Sequence, residues 1–185
     1  YEKKDFNIFD RILYNLSTPL SSNKWMINKN SKKITITNEI NYNYCTVLFK
    51  LNQNSKTVIN YTKYYSSHKS NNIYLGIQTK PARVGKYHGG STAGNGNGGI
   101  DQYFVESNGS HIFIIDLINK KLIHDDVIHS INADILDDNS EIYLGVYDGT
   151  AVGTGTQHIT FNYVYEYTTD ETNQHMQIYN DVSGE

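Results

Sequence analysis

The chain has 185 residues, 38% of them hydrophobic and 19% charged, a net charge of −3, and 16 Tyr against 6 Phe and 1 Trp. That length suits one domain with at most a tail. No apolar run approaches the roughly 18 residues of a membrane helix, and the acidic balance, with a pI near 6.2, disfavours nucleic acid as a partner. An aromatic share of 12% with so few charges argues against disorder. The single cysteine, Cys45, excludes an intrachain disulfide and a cysteine-rich zinc site, and reads as a small buried hydrophobe. Lys, Asn, Ile and Tyr are abundant and have AT-rich codons, which points to an AT-rich genome. The chain opens on Tyr1 without Met or an apolar leader and reads as a segment of a longer protein, so the lack of a signal peptide says nothing.

In chain order, Asp5–Asn15 places Phe6, Ile8, Phe9, Ile12 and Leu13 at helix-compatible spacing and reads equally as an opening strand. Beyond it, alternation of β-branched and aromatic residues predicts strands at Trp25–Asn28, Lys33–Glu39, Tyr44–Leu51, Thr57–Tyr64, Asn72–Thr79, Gln102–Glu106, His111–Ile118, Lys121–His124, Glu141–Asp148 and Gln157–Tyr167. Val127–Leu136 puts Ile128, Ile131 and Ile135 on one helical face, which predicts a short helix or a bent crossover. Phe161-Asn-Tyr-Val-Tyr-Glu-Tyr167 has an aromatic residue at every second position and predicts one aromatic face. Asn119-Lys120 predicts a tight turn with Asn at positive φ, and Asn108-Gly109 a stronger turn joining Gln102–Glu106 to His111–Ile118. Ile73-Tyr-Leu-Gly-Ile77 is echoed by Ile142-Tyr-Leu-Gly-Val146; the echo reads either as strand composition repeating by chance or as two equivalent strands, one in each half of a sandwich.

Ten or so short strands separated by polar turns describe an all-β sandwich or barrel, and a two-sheet jelly-roll sandwich with at most one or two short helices is expected. The domain is expected at 1–168, with 169–185 as a polar tail or an extra edge strand.

Two glycine-rich segments stand out. His88-Gly-Gly-Ser-Thr-Ala-Gly-Asn-Gly-Asn-Gly-Gly99 lacks the following helix and the Lys-Ser/Thr pair of a phosphate loop. It reads as a surface loop, as an assembly contact, or as a recognition loop in which Tyr87, His88, Asn95, Asn97 and Tyr103 meet a polar neutral ligand such as a sugar. Tyr147-Asp-Gly-Thr-Ala-Val-Gly-Thr-Gly-Thr-Gln157 offers Tyr147, Asp148 and several hydroxyls without charge crowding, or is an ordinary strand connection. Trp25, the only tryptophan, reads as a core anchor or as a further ligand platform.

Reactive constellations are missing from the spacing. No predicted strand carries acids two or four residues apart, as paired glycosidase carboxylates often do; Asp101 and Glu106 face opposite ways, and Asp125-Asp126 and Asp137-Asp138 read as turns. The seven histidines, at 68, 88, 111, 124, 129, 158 and 175, form no His-x-His pair, and His124 and His129 are awkwardly spaced, so no metal or other cofactor is expected. No nucleophile elbow is present. The Tyr–Lys interleaving of Lys56–Lys69 reads as a strand face rather than a base-stacking stripe.

From about His111 to Tyr167 the chain resembles the late strands of concanavalin A-like sandwiches. A strand-turn-strand pair precedes Ile142-Tyr-Leu-Gly-Val146, then come the loop Asp148–Thr156 and a final strand rich in aromatics, His158–Tyr167. The family's legume-type metal motif and the galectin His-x-Asn-x-Arg pattern are absent. The composition and glycine-rich segments also resemble receptor-binding domains of phage or viral fibres. The resemblance implies a non-catalytic domain that binds a glycan or cell-surface receptor at an extracellular or virion surface, with a homo-oligomer as a further expectation. The alternatives are an assembly module without a ligand and a glycosidase with unpatterned acids.

Overall fold

Period-2 alternation becomes layering. Ile34 and Ile36 turn into the interior while Thr35 and Thr37 face away, and the same division repeats along most strands. The computed structural model describes residues 2–15, 24–38, 43–65, 73–79, 101–104, 107–137, 139, 141–149 and 155–168. The expected tail at 169–185 lies outside the described residues. No described helix is long and apolar enough to cross a membrane.

The elements are β1 (Glu2–Asp5), a 3-10 turn (Ile8–Arg11), β2 (Ile12–Asn15), β3 (Lys24–Asn28), β4 (Lys33–Asn38), β5 (Asn43–Lys50) and β6 (Ser55–Tyr65). Then follow β7 (Ile73–Gln78), β8 (Asp101–Tyr103), β9 (Gly109–Asp116), β10 (Lys121–His124), β11 (Val127–Ser130), α1 (Ala133–Asp137), β12 (Tyr143–Gly149) and β13 (Gly155–Thr168). Seven strands form one sheet in the order β11-β10-β9-β6-β13-β4-β3, with β1 alongside the second half of β13 as its eighth. The other sheet runs β2-β5-β12-β7-β8. All pairings are antiparallel. The chain passes repeatedly from sheet to sheet, so most neighbours are distant in sequence. The predicted all-β jelly-roll sandwich is the fold observed.

The core lies between the layers. Val47, Phe49, Ile73, Leu75, Ile77, Leu144 and Val146 from the five-stranded sheet meet Ile34, Ile36, Ile59, Phe113, Ile115, Ile159 and Phe161 from the other. The 3-10 turn, capped where the Asn7 side chain accepts from the Phe9 amide, inserts Ile8 and Phe9 into this layer. There Phe9, Phe49 and Phe161 meet edge to face at 5.4–5.8 Å, the arrangement that ring quadrupoles favour.

Several expectations change. Asp5–Asn15 is neither a helix nor one strand, but a 3-10 turn followed by β2. Val127–Leu136 divides into β11 and the start of α1. Asn108-Gly109 does not close a hairpin, because β8 and β9 belong to different sheets; Gly109, at φ 124, serves a crossover. In the β9–β10 turn the positive φ belongs to Lys120, at 58°. Asn119 instead donates its backbone and side-chain N–H groups to the Asp116 carboxylate. The two echoing strands are not in separate halves either: β7 and β12 are neighbours in one sheet, with Gly76 opposite Gly145. A bulge between Phe161 and Tyr163 divides the predicted aromatic face of β13. Phe161 is buried in the core, whereas Tyr163 stands 44% exposed on the outer side.

Candidate functional site

Two places gather side chains with chemistry. The first is the outer face of the five-stranded sheet. Leu48, Tyr74, Tyr103 and Tyr143 form a buried cluster there, separate from the main core. Tyr74 and Tyr103 stack at 5.0 Å, and the approach is close because position 76 has no side chain. A Cβ on Gly76 would lie 2.5 Å from the Gln102 carbonyl oxygen and 2.6 Å from the Tyr103 Cβ. Gln102 ties this strand to the other sheet by donating to the Ser130 carbonyl and accepting from the Asn132 amide. The Tyr143 hydroxyl is buried and donates to Glu141, and both effects push its pKa up.

The sequence-predicted residues divide. Tyr103 is 3% exposed, so its ring, stacked on Tyr74, forms part of a base rather than a ligand platform. Tyr147 and Asp148 lie near the end of β12, the middle strand, opposite Tyr74 and Ile73. Trp25 is in the other sheet, in register with Ile36. Tyr87, His88, Asn95 and Asn97 lie outside the described residues. β7 ends at Gln78, opposite Tyr143, while β12 ends beside Ile73.

The second place was not apparent from spacing. His111 on β9, His124 on β10 and Asp125 in the β10–β11 turn bring one ligand-type atom each within 4.8 Å of one another. The turn holds two consecutive residues at positive φ, Asp125 at 47° and Asp126 at 68°. That is the primed geometry that matches the twist of a two-residue hairpin. The Asp125 backbone N–H donates to the Ile112 carbonyl, and its Oδ1 accepts from the Ile112 N–H, both at 2.9 Å. Its Oδ2 lies 2.6 Å from His111 Nδ1 and 3.9 Å from His124 Nδ1. Burial opposes the charge of Asp125, but the Ile112 amide and the His111 ring outweigh it and hold the carboxyl below its ordinary 3.8. Each ring is anchored at its far nitrogen: His111 Nε2 donates to the Ser107 carbonyl at 2.7 Å, and His124 Nε2 meets the Tyr61 hydroxyl at 3.3 Å. Phe104 stacks on His124 at 4.8 Å and 6°.

Register explains why these residues meet. β9 and β10 pair with Phe113 opposite His124. His111 is therefore a diagonal neighbour of His124 on the same face, and Asp125 comes opposite Ile112. Counting outward from the β9–β10 turn would have found the pair; looking for short His spacings could not.

Two buried carboxylates among the described residues are engaged elsewhere. Glu166 accepts two hydrogen bonds from the Arg11 guanidinium at 2.6 and 2.7 Å, and Asp116 holds Asn119.

No protein-family model and no curated protein matches the chain. Among solved structures, it is similar to a lectin from Griffonia simplicifolia in metal-free form, at 10% identity over 92% of this chain and 100% of that one, with a TM-score of 0.42. It is similar to the β-glucanase of Bacillus licheniformis, at 14% identity over 74% and 72% of the two chains, with a TM-score of 0.34. It is also similar to the CBM2 module of an evolved Dit protein from Lactobacillus casei BL23 phage J-1, at 10% identity over 91% and 88%, with a TM-score of 0.35.

Proposed function

We infer that the chain is a non-catalytic recognition domain for neutral carbohydrate, borne on a glycan or a cell-surface receptor, and that it acts outside the cell or on a virion surface. One observation carries the reading. Near the end of the middle strand of the five-stranded sheet, Tyr147 comes in register with Tyr74, whose ring stacks on Tyr103 in the outer-face cluster, and Asp148 follows opposite the core residue Ile73, where the Gly/Thr-rich segment begins. A tyrosine, a carboxylate and the Gly/Thr-rich segment that follows them supply a stacking surface and directional hydrogen bonds for an uncharged sugar ring. Tyr87, His88, Asn95 and Asn97, in the segment between β7 and β8, remain proposed as further aromatic, imidazole and amide contacts for the ligand, while Trp25 belongs to the other sheet.

The test is a high-density array of neutral and charged glycans probed with the full chain. The expected result is binding to neutral glycans that falls by about tenfold or more in Tyr147→Ala and Asp148→Ala. No binding to any glycan overturns the reading.

A second reading has its own observation. Tyr165, Val58, Ile114, Ile123 and Ile128 are successive register partners across five strands on the outer face of the eight-stranded sheet. Ile128, at the edge, is 66% exposed. Such a row suits self-association, so the domain would act as an assembly module. Light scattering distinguishes the two: a stable oligomer that dissociates in Ile128→Lys and binds no glycan favours assembly.

A further inference from the structure

The His111–His124–Asp125 cluster poses a problem of lone pairs. His111 Nε2 faces a carbonyl oxygen, which can only accept, so the ring places its N–H there. A neutral ring then turns the Nδ1 lone pair toward Asp125 Oδ2 at 2.6 Å, while Oδ1 of the same carboxyl group already accepts from the Ile112 N–H. Two lone pairs at that separation require a positive species between them. His124 Nδ1 lies 3.9 Å from the same oxygen, so one small cation there is within reach of both rings.

We propose that His111 Nδ1, His124 Nδ1 and Asp125 Oδ2 form a binding site for one divalent cation of the zinc class. Two imidazole nitrogens and one carboxylate oxygen are the donor set a borderline cation selects, and three protein ligands leave the fourth tetrahedral position open. The dimensions agree. A tetrahedral zinc ion holds such ligand atoms roughly 3.3 Å apart, between the 2.6 and 3.9 Å observed. Coordinated imidazole centroids lie about 3.2 Å from the metal, so at the tetrahedral angle two rings on one ion are separated by about 5.2 Å; these rings are 6.0 Å apart. Part of the adjustment falls to Asp125, whose side chain is 40% exposed, and the rest to the rings closing by less than about 1 Å.

The surroundings supply what metal-binding histidines need behind them. Each far nitrogen is fixed by an oxygen, the Ser107 carbonyl and the Tyr61 hydroxyl, which orients the ring with Nδ1 toward the ion. Asn60, Ser110 and Ile112 join His111, Asp125 and Asp126 in lining a depression of about 250 Å³. The open coordination position faces that space, where water or a ligand oxygen completes the shell. The site joins β9 to the β10–β11 hairpin in the eight-stranded sheet, and it is independent of the glycan reading.

The test strips the full chain with a chelator and titrates it with zinc ion alone, following the imidazole nitrogens by long-range proton–nitrogen correlation. The Nδ1 signals of His111 and His124 are expected to move together and saturate at one equivalent, with Nε2 remaining protonated. Calorimetry should show Asp125→Asn weakening zinc binding by roughly 10–100-fold. Unmoved Nδ1 signals at saturating zinc overturn the proposal and leave a proton-bridged His–Asp pair. Zinc bound as tightly by Asp125→Asn and His124→Gln as by the parent also overturns it. The nitrogen readout uses the unaltered protein, so a variant that fails to fold does not obscure the answer.

Discussion

In the five-stranded sheet all six residues of β7 are buried, because the core covers one face and the Leu48–Tyr74–Tyr103–Tyr143 cluster occupies the other. In the eight-stranded sheet β9 alternates, with His111, Phe113 and Ile115 inward and Ser110 and Ile112 exposed. The two sheets therefore tolerate change differently. A strand enclosed on both sides must fit its neighbours in volume on both, which is why position 76 carries no side chain. A strand open on one side must fit only on the other.

The largest test of that contrast is Phe161→Ala, which empties the point where three aromatic rings meet. Denaturant unfolding should show a loss of about 3–5 kcal/mol. Gly76→Ala comes next: its Cβ would press on backbone as well as on Tyr103, and a loss of about 1–3 kcal/mol is expected. Equal stability of Gly76→Ala and the parent would mean that the outer face is not closed. Arg11→Ala strands the buried Glu166 carboxylate. Arg11 keeps some contact with water, so the expected loss is about 1–2 kcal/mol, below that of a fully enclosed pair, and adding Glu166→Gln should restore part of it. Tyr163→Ala, two residues beyond Phe161 but across the bulge, should stay within about 0.5 kcal/mol. If it matched Phe161→Ala, the bulge would be misplaced.

The smallest effect is electrostatic and lies on the open face. His158 stacks on Tyr64 at 5.2 Å, and its Nδ1 is enclosed without a hydrogen-bond partner. Burial, and then the nearby Lys33, hold its pKa below the ordinary 6.5. The unfolded chain binds this proton more readily than the folded one. The contribution of His158 is therefore fully present above pH 6.5 and is lost as pH falls through the lowered folded value. Its NMR titration midpoint should lie below that of an exposed histidine and rise in Lys33→Gln; a midpoint at or above 6.5 would contradict this environment.

Sequence reading recovered the strands that alternate or run apolar and missed those that do neither. Lys121–His124 was predicted with its observed limits. Glu2–Asp5 shows four exposed charged residues and forms β1 only because the second half of β13 offers an unpaired edge. β11 has the residues Val-Ile-His-Ser, whose helical spacing competes with its hairpin register. The bulge in β13 was hidden because an extra residue on a strand leaves the aromatic period intact while reversing its direction. On β12, residue type singled out Tyr147 and Asp148, but only register set them beside Tyr74 and Ile73. The histidine cluster depended wholly on pairing across thirteen positions, from His111 to His124, and local spacing carries no trace of that.

The fourteen residues of β13 bond to β6 along their length, to β4 in the first half and to β1 in the second. During synthesis, β4 and β6 therefore emerge long before the segment that joins them. Until Gly155–Thr168 is available, both present unsatisfied edges, and a nascent chain in that state is open to pairing with another copy of itself. Maturation of this domain should be slow, dominated by distant contacts, and most dependent on protection by chaperones just before its last described strand arrives.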